Sequence, residues 1–152
     1  MKKIILFLML AGCSFQPVFN GSGTDIYVAP IEGINGIELR NSLNVQFGGA
    51  HEENAKYNLT VNLREPTKQY KALNRAGSAT WQEVKLNASY VLKEGNKEIA
   101  RGNESAAESY AIVGYLVAAN ASYNNAVLNA INVLSEKISM RVITETRKDE
   151  IK

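Results

Sequence analysis

The sequence has few of the residues on which catalytic and metal sites depend. Its 152 residues include one cysteine and one histidine, which is too few for a disulfide or for a typical zinc site. A Ser-His-Asp arrangement would need His51 to meet Asp25 or Asp149, the two aspartates of the chain, and neither a P-loop nor a GxGxxG pattern occurs. We therefore expect no catalytic residues, no metal site and no cofactor, and we predict that the protein is not an enzyme.

The chain also has little net charge. It contains 17 basic and 15 acidic residues, and cleavage of a leader that carries Lys2 and Lys3 would leave 15 against 15. A neutral protein lacks the basic surface that attracts nucleic acid phosphates. We expect no nucleic-acid partner.

The first 12 residues have the pattern of an export signal. Lys2 and Lys3 precede eight apolar residues at positions 4–11, a run far shorter than the ~20 residues of a transmembrane helix. The segment LAGC at positions 10–13 resembles the lipobox of bacterial lipoproteins. That resemblance implies that Cys13 becomes the first residue of the mature protein and carries covalent lipid. An ordinary signal peptide with an incidental cysteine is the alternative.

These features divide the chain into three parts. We predict a lipoprotein signal peptide at 1–12, a lipidated tether at 13–24 that contains proline and glycine, and a single α+β domain at 25–152. Ser14 stands where an aspartate would resemble an inner-membrane retention signal. The expected location is therefore the periplasmic side of the outer membrane.

Hydrophobic periodicity predicts the order β-α-β-β-β-α in the domain. Such an order is typical of a four-stranded sheet with two helices packed on one face. The first helix places Leu39, Leu43 and Phe47 at i, i+4 and i+8, and the long strand changes phase between Trp81 and Val84, which predicts a bulge. The predicted elements are strand 25–31, helix 36–47, strand 57–63, strand 81–92, turn 94–97, strand 98–110 and helix 122–145.

The final helix has an unusually wide apolar arc. Its central stripe is Val127, Ile131, Leu134, Ile138 and Val142, and the arc is widened by Ala126, Ala130, Val133 and Met140. Together they cover roughly 200°, whereas a helix that covers only its own sheet needs a little over ~100°. The arc could pack on the first helix or meet another protein. The remaining face is predicted to be polar and uncharged, and consists of Asn124, Asn125, Asn129, Asn132, Ser135 and Ser139.

One basic stretch interrupts the balanced charge. Between positions 64 and 75 lie Arg64, Lys68, Lys71 and Arg75 against one acid. The stretch contains Pro66, so we expect a loop or a projecting hairpin end. These four residues are the candidates for binding phosphate groups, with Tyr70 stacked beside them. A simple solvated surface is the alternative.

The whole chain resembles the lipopolysaccharide-assembly lipoproteins of the LptE type. The resemblance rests on Cys13 followed by FQPVF at 15–19, on ELRNSL at 38–43, on YNLTVNL at 57–63, and on SYVL at 89–92. It continues with SYA at 109–111 before the final helix, so it follows the same order over nearly the whole mature chain. Ser14 departs from the glycine that the family often has.

This resemblance implies a structural role. Such a lipoprotein acts as a plug and assembly partner of an outer-membrane β-barrel translocon of the LptD type, and it contacts lipopolysaccharide. The basic stretch would then be the possible lipopolysaccharide-binding site. An activator of a periplasmic peptidoglycan synthase is the alternative function, although residues 14–24 form a shorter linker than such an activator would favour.

Overall fold

The computed structural model describes residues 25–73, 75–77 and 79–151. The predicted signal peptide, Cys13 and the tether lie outside the described residues. The described chain forms five strands and two α-helices, with one 3-10 turn at Glu52–Asn54. In chain order they are β1 (Ile26–Val28), α1 (Ile34–Phe47), β2 (Tyr57–Leu63), β3 (Thr67–Leu73), β4 (Ala79–Glu94), β5 (Lys97–Ala111) and α2 (Leu116–Glu150).

β4 is the central strand of the sheet. One of its edges pairs with β5 along nearly its whole length, and the other edge pairs with β3 and β2, which lie end to end. β1 joins β2 in parallel, and α2 packs against β4, β5 and α1. The predicted α+β class, a sheet with two helices, is confirmed, and the sheet has a fifth strand in addition to the four predicted.

The fifth strand comes from the basic stretch that we predicted as a loop or hairpin end. β3 continues the line of β2 along the same edge of β4. The two strands are separated at residues 64–66, where Pro66 has no N–H to donate to the ladder. The loop alternative was wrong, whereas the hairpin alternative agrees with the antiparallel pairing of β3 with the start of β4. The strand itself was missed because every β3 side chain except Ala72 is exposed. Such a strand lacks the apolar alternation that would indicate it.

The bulge predicted between Trp81 and Val84 is in β3 instead. β4 pairs with β5 without a register shift from Trp81 to Leu92, so no residue is inserted between Trp81 and Val84. The shifts lie in the pairing of β4 with β3, where Lys71 is an extra residue in β3 and Thr80 is an extra residue in β4. Trp81 points to the face opposite Val84, because successive side chains of a strand alternate.

The core lies between the sheet and the two helices. Leu39, Leu43 and Phe47 of α1 are buried as predicted. The predicted central stripe of α2 is also buried, and consists of Val127, Ile131, Leu134, Ile138 and Val142. α2 is longer than the predicted range 122–145. Its first turns are mostly exposed, and for this reason the core periodicity that located the helix does not extend to them.

Packing on α1 explains part of the wide apolar arc. Ser135 and Ser139, which we assigned to a polar outer face, are buried between α1 and α2. Ser135 Oγ shares a 2.7 Å hydrogen bond with Ser42 and accepts another from Gln46 Nε2 at 2.8 Å. Ser139 Oγ donates to Gln46 Oε1. The prediction was wrong for these serines because paired hydroxyls can occupy core positions. The four asparagines of that face are exposed, as are Val133 and Met140 of the arc.

β5 lies at one edge of the sheet. In the part of the chain that the structure describes, it pairs with β4 alone. Lys137 of α2 reaches this strand, and its Nζ donates a 2.7 Å hydrogen bond to the backbone oxygen of Ser105. Close by, Arg141 lies 3.4 Å from a carboxylate oxygen of Glu104. Two basic side chains of α2 therefore reach the middle of β5.

Candidate functional site

The two ends of the sheet differ in character. We call the distal end the part formed by β3, residues 79–84, residues 108–112 and the first turns of α2 at 116–123. The basal end holds the start of β1 and the tight turn between β4 and β5. Trp81 and Glu94 are 13 positions apart on β4, which places the two ends about 43 Å apart at ~3.3 Å per residue. The predicted tether precedes β1 and therefore joins the domain at the basal end.

Two of the four basic candidates are already engaged at the distal end. Lys68 Nζ lies 3.8 Å from the centroid of the Tyr123 ring, a cation–π contact with α2. Lys71 Nζ lies 3.0 Å from Glu83 Oε1. Lys68 pairs in register with Val84 and faces the helix layer. Lys71 instead contacts Glu83, the residue that precedes Val84 on β4, whose side chain points to the opposite face.

The other two candidates, Arg64 and Arg75, are exposed. Neither forms an ion pair in the described part of the chain. Arg64 lines a cavity of ≈ 230 Å³ beside the start of α1, and Arg75 lies in the turn after β3. The seven residues of β3 separate them by about 23 Å. The structure therefore does not bring the four basic side chains together, and their binding to phosphates stays a prediction.

Aromatic side chains organise the distal end, and Tyr123 is the member that sequence reasoning missed. The Tyr110 and Tyr123 rings meet edge to face with centroids 5.8 Å apart, and the Tyr110 hydroxyl donates to Gln82 Oε1. Burial, followed by the influence of Tyr123 and Tyr70, raises the pKa of Tyr110. Tyr70, which we expected beside the basic residues, is 65% exposed. These contacts attach the start of α2 to the paired strands.

Large apolar side chains are exposed at the same end. They belong to β3, β4, α2 and the connection between β5 and α2, and they lie at this end because β3 and β5 end, and β4 and α2 begin, there. The backbone N–H of Ile112, just after β5, donates to the oxygen of Thr80 in β4 at 2.9 Å. The exposed residues are Tyr70, Leu73, Trp81, Ile112, Tyr115, Leu116 and Val117.

A second cavity, of ≈ 290 Å³, lies at the basal end and is lined by both charged and apolar residues. Its carboxylates are paired: Glu145 binds Lys148 at 2.6 Å, and Asp149 binds Lys97 at 2.9 Å. The Lys97 ammonium lowers the pKa of Asp149. The Lys97–Asp149 pair fastens the end of α2 to the start of β5, and the Glu145–Lys148 pair lies within α2, so the groups have a structural explanation.

The catalytic and metal-binding expectations can be compared with the positions of the residues. His51 is exposed and precedes the 3-10 turn that contains Glu52 and Glu53, while Asp149 is occupied by Lys97. No group of three or more His, Cys, Asp or Glu residues suitable for a metal ion occurs within the described ranges. None of the described helices combines the length and the apolar character needed to cross a membrane.

Solved structures with the same fold include several bacterial lipoproteins. Rare lipoprotein B from Shewanella oneidensis aligns over 84% of this chain and 98% of its own, with a TM-score of 0.62 and 10% identity. A minor lipoprotein from Acinetobacter baumannii aligns over 82% and 93%, with a TM-score of 0.59 and 15% identity. An uncharacterized lipoprotein B from Nitrosomonas europaea aligns over 80% and 86%, with a TM-score of 0.56 and 12% identity.

No known protein family matches the sequence, and no curated protein matches it. The structural likeness covers most of the described domain at low sequence identity, so it shows a shared fold. The chain therefore has the α+β fold found in these bacterial lipoproteins.

Proposed function

We propose that this protein is a lipid-anchored lipoprotein on the periplasmic side of the outer membrane. In this role it plugs a β-barrel lipopolysaccharide translocon, helps the barrel to assemble and assists insertion of lipopolysaccharide. One observation carries the proposal: a lipobox ending at Cys13 precedes a domain whose fold is shared with rare lipoprotein B and a minor lipoprotein. The resemblance to the LptE type supplies the specific role.

The shape of the domain supports a plug. The tether joins at the basal end, and the sheet extends about 43 Å from there, which exceeds the ~30 Å thickness of the hydrocarbon core of a bilayer. A domain of this length can span a barrel lengthwise while its anchor stays in the inner leaflet. The exposed part of α2 at Asn124, Asn125, Asn129 and Asn132 is uncharged. Its burial in an enclosed partner would cost less than the burial of charges.

Co-purification tests this proposal. The full-length lipidated protein would be extracted from native membranes in mild detergent, and every accompanying band identified. We expect a near-stoichiometric outer-membrane β-barrel protein. The control is Cys13→Ala, which cannot be lipidated and should lose both membrane location and barrel. Recovery of a peptidoglycan synthase, or of no barrel, would contradict the proposal, and the synthase would favour the activator function.

Binding of lipopolysaccharide is the second part of the proposal. Arg64 and Arg75 are the basic candidates without an ion-pair partner in the described structure. Each can therefore bind a phosphate group without breaking an existing ion pair. We expect Arg64→Glu combined with Arg75→Glu to weaken binding about 30-fold at low ionic strength, if each lost contact is worth ~1 kcal/mol. The control is Lys93→Glu with Arg147→Glu, which makes the same charge change outside the distal end. Equal binding by both variants would remove this site.

The pair Lys68→Glu and Lys71→Glu tests the remaining candidates less directly. These changes would also break the contact of Lys68 with Tyr123 and place a second carboxylate beside Glu83. We expect weaker lipopolysaccharide binding together with a lower thermal midpoint. Arg64 and Arg75 therefore give the sharper test of phosphate recognition.

A further inference from the structure

The exposed apolar residues at the distal end include aliphatic and aromatic side chains. Leu116 and Val117, in the first turn of α2, are 77% and 82% exposed. Three aromatic side chains, Tyr70, Trp81 and Tyr115, are exposed at the same end of the sheet, with Trp81 on the face opposite Val84. Soluble proteins expose single apolar residues routinely, but seven large apolar side chains exposed at one end of a domain mark a binding surface.

Basic residues outnumber acidic residues at the distal end, with Lys68, Lys71 and Arg75 against Glu83 and Glu108. Residues 66–82 include Lys68, Lys71 and Arg75 and no acid, and residues 109–135 contain no charged side chain at all. Glu83 borders the first segment, and its carboxylate is occupied by Lys71. The exposed apolar group is therefore accompanied by a small net positive charge, with Glu83 held by Lys71 and Glu108 half-buried opposite Val84.

We infer that the distal end docks on an anionic phospholipid surface, with the side chains of Leu116 and Val117 in the acyl region and Trp81 at the level of the headgroups. Tryptophan and tyrosine prefer this interface because their rings are apolar and their N–H or O–H is polar. Arg75, which forms no ion pair in the described part of the chain, complements the phosphates, and Lys68 adds positive charge beside it. The inference goes beyond the proposed plug function, because it requires neither a barrel nor lipopolysaccharide.

The predicted tether is long enough to allow this contact in the membrane that holds the anchor. Residues 13–24 span at most about 40 Å when fully extended, at ~3.3 Å per residue. The basal end can therefore lie almost as far from the bilayer as it lies from the distal end, which is about 43 Å. A domain inclined toward the membrane can thus place its distal end on the lipid surface while Cys13 remains anchored.

The protein contains its own probe for this contact, because Trp81 is its one tryptophan. The full-length lipidated protein would be reconstituted into vesicles of phosphatidylcholine with phosphatidylglycerol whose acyl chains are brominated, without lipopolysaccharide. We expect bromine to quench Trp81 emission strongly in these vesicles and weakly in brominated phosphatidylcholine alone. Equal quenching in the two lipids, or no quenching, would overturn the inference.

Two variants make the test specific. Leu116→Ser with Val117→Ser removes the inserted groups at positions outside the core. It should lower the ratio of docked to undocked protein by about 100-fold, since each aliphatic side chain transferred from water is worth about tenfold or more. Trp81→Phe with Ile151→Trp moves the probe to the basal end, where we expect little quenching.

Further outcomes would overturn the inference. One is that Leu116→Ser with Val117→Ser leaves the quenching of Trp81 undiminished, although this variant unfolds at the same temperature as the parent protein in circular dichroism. Another is quenching of the probe at position 151 as strong as that of Trp81. Protection of Trp81 from aqueous acrylamide only when a co-purified barrel is present, with no quenching by lipid, would assign the surface to a protein partner instead.

Discussion

Gly102 is a position at which two opposing effects of one substitution can be compared. It lies opposite Tyr90 in the β4–β5 ladder. A Cβ atom added to Gly102 would lie 2.6 Å from both Cζ and the hydroxyl oxygen of Tyr90. The Tyr90 side chain is 5% exposed, so the core around it limits how far the ring can move. The ring fills the space that the glycine leaves open.

We predict that Gly102→Ala destabilises the domain. Replacement of a strand glycine by alanine normally stabilises by about 0.4–1 kcal/mol, because the unfolded chain loses freedom. Overpacking of a filled core costs about 1–3 kcal/mol. The second effect is larger, so the expected net loss is about 1–2 kcal/mol, which corresponds to a fall in Tm of roughly 4–8 °C for a domain of this size.

Urea denaturation followed by circular dichroism measures this loss. Gly114→Ala is the matched control, because no atom lies within 4 Å of the added Cβ, and it should be neutral or slightly stabilising. In a Tyr90→Leu background the clash is removed, so Gly102→Ala should become neutral or slightly stabilising, with a coupling energy of about 1–3 kcal/mol. The reasoning is refuted if Gly102→Ala alone is as stable as Gly114→Ala.

Two further predictions concern the contacts of α2. Ser135→Ala leaves the Gln46 amide without its acceptor in the helix interface, and should cost about 1–3 kcal/mol in denaturation experiments; an unchanged midpoint would contradict this. Lys97→Ala should destabilise the domain mainly at intermediate pH. The lowered pKa of Asp149 gives stability that is present above its ordinary value of 3.8 and is lost in acid. The raised pKa of Lys97 gives stability that is present below 10.5 and is lost in base. The difference in Tm between the two proteins should therefore shrink at both extremes, and a constant difference would be contrary to this explanation.

The sequence predicted those elements that bury an alternating or helical set of side chains. Tyr57, Leu59 and Val61 of β2 are all buried, and this alternation located the strand correctly. β3 could not be found in this way, because it is a strand through its pairing with β4 while its side chains stay in water. The first turns of α2 were missed for the same reason.

The candidate site shows a different limit of sequence reasoning. The sequence identified Lys68 and Lys71 as basic residues of one stretch, but their contacts come from distant positions, Tyr123 and Glu83. Those contacts depend on the way in which α2 crosses the strand ends and on the extra residue in β3. Neither can be read from local composition.

The hydrogen bond from Lys137 to Ser105 has a consequence for the behaviour of the protein in solution. The outer side of β5, a strand of 15 residues, is of the kind on which another chain could add a strand and begin aggregation. A strand that added to β5 would have to displace the Lys137 ammonium group from the backbone oxygen of Ser105. That charge would then lie unpaired in the middle of the new strand pair. The lysine therefore acts against edge-to-edge association and favours a monodisperse domain.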